Sequence, residues 1–133
     1  KGVRQKLLRS DAVSGESTWL LSVEADDPRR GALRRALATH QAVEEMFLLE
    51  GQISSPRGVM GTGAYVWRAP GVARGPLGST TGYVALVRSK GGALKTQLSE
   101  TGREVLWNAP FDPLIPDSMR SFAFKEYDRS RVY

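Results

Sequence analysis

The stretch ATHQAVEEMFLLEG, Ala38 to Gly51, carries the chain's single histidine. His40 is separated from Glu44 by three residues, and six more lead from Glu44 to Gly51. An imidazole and a carboxylate this close resemble part of a ligand set from which other members are missing. The apolar run that follows is strand-like. Side chains alternate across a strand, so Met46 and Leu48 share the face of Glu44, while Glu45 and Phe47 point away.

Outward from this stretch, short β-prone runs are separated by glycine and proline. STWLLSVEA (Ser17–Ala25) has a continuous apolar centre, and EEMFLLEGQIS (Glu44–Ser54) is a second strong strand with a bend expected at Gly51. VRQKLLR (Val3–Arg9), AYVWRA (Ala64–Ala69) and YVALVRS (Tyr83–Ser89) complete the clear strands, and GREVLWNAP (Gly102–Pro110) ends in a strand-like run. DAVSG (Asp11–Gly15) is a turn, SPRGVMGTG (Ser55–Gly63) is read as loop, and PGVARGPLGSTTG (Pro70–Gly82) is too rich in Pro and Gly for a helix. Only two segments have helical character: RGALRRALATHQAVEEMFLLE, whose second half is read as strand, and a short helix near Ser118–Lys125. The fold class predicted is all-β, an antiparallel sandwich or barrel. One domain is expected over residues 1–133, with a core over 2–110 and a C-terminal extension over 111–133.

Order and spacing together resemble the cupin superfamily. His40, Glu44 and Gly51 match the second histidine, the glutamate and the closing glycine of the first cupin motif. Gly63 and Gly71 match the second motif, with Ala69 in the place of its leading proline. The flanking text, GVRQKLLRSDAVSGESTWLLSVEA, EEMFLLEGQIS, GTGAYVWRAPG and GPLGSTTGYVALVR, is similar to the branch containing the zinc-binding anti-sigma-factor cupins and the acetylacetone-cleaving dioxygenases. The resemblance covers roughly Gly2 to Ser89 and implies a jelly roll, RmlC-like in architecture. It also implies an interior site where the family holds a metal with three histidines and one glutamate.

Here the first of those histidines falls at Ala38 and the third at Arg74. Two remaining ligands make a poor catalytic metal site. A permanent guanidinium where a divalent cation belongs repels it. The expectation is therefore no metal and no cofactor. Two readings of the trio stay open. Arg74 and Glu44 form an internal ion pair that replaces the metal as a clamp, or His40, Glu44 and Arg74 form an acid–base and anion-holding set. The second reading suits isomerase- or cyclase-type chemistry on a small molecule. Met46, Leu48, Tyr65, Trp67 and Arg68 are candidate ligand contacts. On AYVWRA, either Tyr65 and Trp67 or Val66 and Arg68 face the interior. A non-catalytic module and a metal-dependent dioxygenase are the other functions carried.

Composition narrows the alternatives. The absence of cysteine excludes disulfides, thiolate catalysis and Cys-ligated metal. The net charge of +5 comes from 19 basic and 14 acidic residues spread along the chain, without the dense basic stripe of a nucleic-acid binder. The one cluster, Arg29, Arg30, Arg34 and Arg35, reads as a solvated loop. No apolar run approaches the ~20 residues that span a bilayer. There is no Walker motif and no G-x-S-x-G elbow. Expected partners are a small, anionic ligand and a second cupin, as a homodimer or as the other half of a bicupin, with no nucleic acid and no membrane. A cytoplasmic location is expected. The start at Lys1 suggests a segment trimmed from a longer chain.

Overall fold

Eight strands and one short 3-10 helix form where β-branched and aromatic residues run between turn-forming glycines, in a computed structural model that describes residues 2–27 and 36–122. The strands are β1 Val3–Ser10, β2 Ser17–Val23, β3 Ala36–His40, β4 Val43–Ser55, β5 Gly58–Gly61, β6 Tyr65–Arg68, β7 Tyr83–Lys90 and β8 Thr96–Glu100. All named pairings are antiparallel. The larger sheet has the order β1-β2-β7-β4-β5, with β6 also on β4, and the smaller sheet is β3 with β8.

The long strand β4 organises the larger sheet. Its first half pairs with β7 on one edge and β6 on the other, and its second half pairs with β5. The register with β7 shifts between Leu48 and Glu50, next to Gly51 at φ +81°. This is the predicted bend: one extra residue and a left-handed glycine turn the strand without breaking it. Met46, Leu48 and Ile53 of β4 pack with Tyr83, Ala85 and Val87 of β7 and with Met60 of β5 to make the buried core.

The same register sets the interior of the sheet in rows. Leu7 of β1 pairs with Trp19 of β2, Trp19 with Val87, and Val87 with Met46. The next row runs Gln5, Leu21, Ala85, Leu48, and the one after it Val3, Val23, Tyr83. One end of the stack is polar, where Ser89 pairs with Glu44 and its hydroxyl accepts from the Ser17 amide at 2.8 Å.

Three local readings are corrected. Ala36–His40 is a strand, although its Ala and Leu content favours helix; the Arg30–Arg35 part of the helical segment lies outside the described residues. SPRGVMGTG contains β5, four residues long, held against β4. GREVLWNAP forms no strand, only single bridges from Leu106 to Ser55 and from Pro110 to Val59. Those bridges, Phe111 against the core, and the Arg57–Asp112 ion pair at 3.0 Å tie the start of the C-terminal extension to β4 and β5. The helix expected near Ser118–Lys125 is a 3-10 turn at Asp117–Phe122, and residues beyond it lie outside the described set. Arg29, Arg30, Arg34 and Arg35 lie outside it as well. Among the described residues no helix is long and apolar enough to cross a membrane.

Candidate functional site

The spacing of His40 and Glu44 is that of a corner between sheets. His40 ends β3 in the small sheet, Gln41 and Ala42 make the turn, and Glu44 stands at the start of β4 in the large one. Both side chains are buried and point into the space between the sheets, 3.7 Å apart. The segment after Pro70 then runs back along β3. Ala38 and Arg74 exchange both backbone hydrogen bonds, at 2.8 and 2.9 Å, and Gly71 donates to the His40 carbonyl. Directly opposed residues in such a pair project their side chains to the same face. Arg74 therefore shares the interior face with Ala38 and, two residues along, with His40. The small side chain of Ala38 leaves room for the guanidinium.

Arg74 sits between the two family-matching residues. Its Nε–H lies 3.2 Å from Glu44 Oε2 and 3.2 Å from His40 Nε2. The ion pair predicted between Arg74 and Glu44 is thus present. Arg68 adds a second cation. It is the register partner of Glu44 across β4 and β6, and its Nη1 donates to the same Oε2 at 3.1 Å. Glu44 Oε2 receives both guanidinium groups, and two cations against one carboxylate leave the cluster with a net charge of +1 when the imidazole is neutral.

His40 has both ring nitrogens engaged. Nε2 accepts from Arg74, which places the ring proton on Nδ1, from where it is donated to Thr96 Oγ1 at 3.0 Å. Thr96 is the register partner of His40 on β8. Burial holds the imidazole below its ordinary value of 6.5; Glu44 opposes this, and Arg74 and Arg68 add to it. The folded state thus binds a proton less readily than the unfolded chain. Stability is full above pH 6.5, falls as the pH drops below 6.5, and levels off once His40 is charged in both states. Urea midpoints at pH 7.5 and 5 test this. Because His40 is the chain's single histidine, His40→Gln is expected to flatten the slope in that window, and an unchanged slope would remove the assignment.

These side chains form one end of a cavity of about 1210 Å³ between the sheets. Its walls include Leu7, Trp19, Leu21, Val23, Tyr83 and Val87 from the large sheet, and Ala38, Thr96 and Leu98 from the small one. Among the described residues, the terminal nitrogens Nη1 and Nη2 of Arg74 have no side-chain or backbone partner. No buried side-chain nitrogen or oxygen there lacks one, so these two nitrogens are open to the cavity.

The other candidate contacts separate. Arg68 is spent on Glu44 and stands behind it. Met46 and Leu48 share Glu44's face as predicted, but they lie in the packed core, and neither lines the cavity. Tyr65 and Trp67 are corrected: the parity on β6 turns Val66 and Arg68 inward and leaves Tyr65 and Trp67 on the outer face, 59% and 57% exposed. Tyr65 there donates to Glu45 Oε1 at 3.0 Å. Sequence reasoning missed Thr96, because β8 is short, polar and exposed along its whole length. Trp19 was not singled out either: Leu20 beside it makes the centre of the strand continuously apolar and masks the alternation Trp19, Leu21, Val23.

The donor set does not fit the metal that the fold implies. His40 Nε2 and Glu44 Oε2, the atoms that would bind it, both face the Arg74 guanidinium. Among the described residues no group of three or more His, Cys, Asp or Glu side chains comes together to hold an ion.

Two antiparallel sheets facing each other across a ligand-sized cavity, joined at a His–Glu corner, define a cupin-type β-sandwich. The chain belongs to the ChrR Cupin-like domain family, whose sequence profile matches residues 1–94. No curated protein gives a significant match. Among solved structures it is similar to an acetylacetone dioxygenase from Acinetobacter johnsonii, at 15% identity and TM-score 0.56, covering 78% of this chain and 68% of that one. An RmlC-like cupin protein from Ralstonia eutropha JMP134 aligns at 14% identity and TM-score 0.59, over 79% and 64%. The DMSP lyase DddQ from Ruegeria pomeroyi DSS-3 aligns at 20% identity and TM-score 0.54, over 77% and 53%. These likenesses confirm the jelly-roll resemblance and speak of fold alone.

Proposed function

We propose that this domain binds a small anionic molecule in the cavity between its sheets, without a metal ion, and that Arg74 receives the ligand's charge. The observation that carries this reading is the pair of open Nη nitrogens of Arg74 on the cavity wall, beside a cluster of net charge +1. Guanidinium offers two parallel donors that match a carboxylate or phosphate edge. Its Nε–H is anchored by Glu44 and His40, so the fork is pre-oriented and little rotamer freedom remains to be lost on binding. Solved neighbours named as an acetylacetone dioxygenase and a DMSP lyase support a small-molecule role for the fold.

Binding is favoured over proton transfer by the state of His40. A general base needs a nitrogen turned to the substrate, and here Nε2 faces Arg74 and Nδ1 faces Thr96. The isomerase-type chemistry considered from sequence would first have to break one of those bonds.

Calorimetric or NMR titration with short carboxylates and inorganic phosphate tests the proposal. Wild type is expected to bind at least one of them, and Arg74→Gln to weaken that affinity by about 10- to 100-fold, the usual span for a lost charge-assisted pair. Arg74→Lys keeps the charge but loses the fork, and an intermediate loss is expected. Equal affinity in wild type and Arg74→Gln, with the variant folded by circular dichroism, would defeat the reading.

A further inference from the structure

The cavity has a direction. Its charged end is the Arg74, His40 and Thr96 corner, level with the Ser17–Ser89–Glu44 row of the large sheet. From there the inner face descends through Leu7, Trp19 and Val87, then Gln5 and Leu21, then Val3, Val23 and Tyr83. Ser89 to Tyr83 is six residues along β7, or roughly 20 Å at the rise of a strand. On the three strands of the large sheet the side chains facing that length are, apart from Gln5, aliphatic or aromatic, and Asp26, whose carboxylate accepts from the Ser79 amide at 2.8 Å, also lines the cavity. On the opposite wall, Leu98 pairs with Ala38 and Leu94 lies nearby.

Two of these wall residues are strongly exposed although they point inward. Leu7 is 62% and Leu98 73% accessible, on the inner faces of β1 and β8. An apolar wall open to water is unfavourable in proportion to its area, and an apolar ligand that covers it recovers that free energy. A compact anion such as phosphate would engage Arg74 and leave the wall wet. An apolar body without charge would leave the guanidinium unused.

We infer that the ligand is an elongated amphipathic anion, with its charged head on the Arg74 fork and its apolar body lying along Trp19, Leu21 and Val23 towards Tyr83. This rests on the binding role proposed above and adds the ligand's class and orientation. The head chemistry is shared by carboxylates and phosphate monoesters. The body is an extended apolar group, because the wall continues through three successive rows of side chains carried by β1, β2 and β7.

The experiment is a titration of the whole chain with straight-chain acids from butanoate to dodecanoate, with hexyl phosphate and octan-1-ol for comparison. Affinity is expected to rise roughly two- to fourfold for each methylene added, until the chain reaches the Tyr83 row. Octanoate is expected to bind at least 10-fold more tightly than octan-1-ol, a difference that Arg74→Gln erases. Leu21→Trp narrows the middle of the path and is expected to shorten the acid length at which affinity stops rising. Gln5→Trp, in the same row on the exposed strand β1, repeats that test without disturbing the core. Hexyl phosphate binding more tightly than hexanoate would identify a phosphate monoester as the natural head. Two results overturn the inference while leaving the anion site intact: equal affinities for butanoate and decanoate, or a length limit unmoved by both tryptophan variants. Octan-1-ol binding as tightly as octanoate overturns the orientation. If no anion binds in an Arg74-dependent way, the binding role itself falls, and that outcome is distinct from the others.

Discussion

Glu44→Gln is expected to lower stability by about 3–5 kcal/mol, the range found when one member of a buried ion pair is removed. Glu44 is 2% exposed; Arg68 donates to its Oε2 at 3.1 Å, and the Arg74 guanidinium forms an ion pair with the same oxygen at 3.2 Å. With the carboxylate gone, two guanidinium groups and an imidazole face one another with no countercharge, in a site where water screens poorly. For a chain of this size such a loss lowers the melting temperature by roughly 10 °C or more. The Arg57–Asp112 pair is the control. It is equally short, at 3.0 Å, but Asp112 is 81% exposed, and Asp112→Asn is expected to cost under ~1 kcal/mol. Adding Arg68→Met to Glu44→Gln is expected to recover part of the loss, because one of the uncompensated cations disappears with it. Thermal melts of the four proteins settle the matter. A Glu44→Gln variant within about 1 kcal/mol of wild type would mean that the cluster is solvated and that no clamp exists.

That clamp explains why the sequence was legible in some places and opaque in others. The corner from His40 to Glu44 could be read because its geometry is local: two residues of turn link two strands, and the spacing of the polar side chains follows. The strands β2, β4, β6 and β7 carry dense apolar text bounded by glycine, and they stand where sequence reading put them. The strand β3 misled because alanine and leucine favour helix, and pairing with β8 overrides that preference. The strands β5 and β8 were invisible for different reasons. β8 has little apolar content and its partner β3 lies far away in the chain, which no local pattern encodes, whereas β5 is four residues long, begins and ends with glycine, and pairs with the adjacent β4 across the turn at Pro56 and Arg57. Thr96 went unseen with β8. The parity of β6 needed its register with β4, and that register alone turns Arg68 inward and Trp67 outward.

The residues at positions 38 and 74 have a physical unity. Where the motif resemblance would put histidines, the small side chain of Ala38 leaves space and Arg74 brings a cation carried by the chain itself. Glu44 and His40 keep the partner chemistry they would offer a metal, but the partner is now fixed by two backbone hydrogen bonds to Ala38. A bound metal ion presents open coordination positions to a ligand, whereas a guanidinium presents N–H donors. On the reading proposed above, the site would hold an anion through those donors.

The largest single effect is expected at the far end of the opening stretch, from Gly51→Ala. Gly51 has φ +81°, a conformation that costs a side-chain-bearing residue about 1–3 kcal/mol by itself. Space adds to the cost. A Cβ at Gly51 would overlap the carbonyl oxygen of Gly82 and come within 2.9 Å of Tyr83 Cα, both backbone atoms that cannot swing aside. Relief requires β4 to move away from β7 at the point where Gly51 pairs with Tyr83, next to the buried Leu48 and Ile53. Gly63 and Gly71 separate the two contributions. Their φ values, +89° and +79°, are similar, yet nothing lies within 4 Å of a Cβ at either position. Gly63→Ala and Gly71→Ala are therefore expected to show the backbone cost alone, about 1–3 kcal/mol, and to stay folded. Gly51→Ala is expected to lose several kcal/mol more, which exhausts the stability of an ordinary domain and leaves the chain largely unfolded at 25 °C. Circular dichroism and urea melts of the three variants make the comparison. If Gly51→Ala matched Gly63→Ala, the bend in β4 would be set by torsion alone, and the close approach of β4 to Gly82 would carry no weight in holding the corner in place.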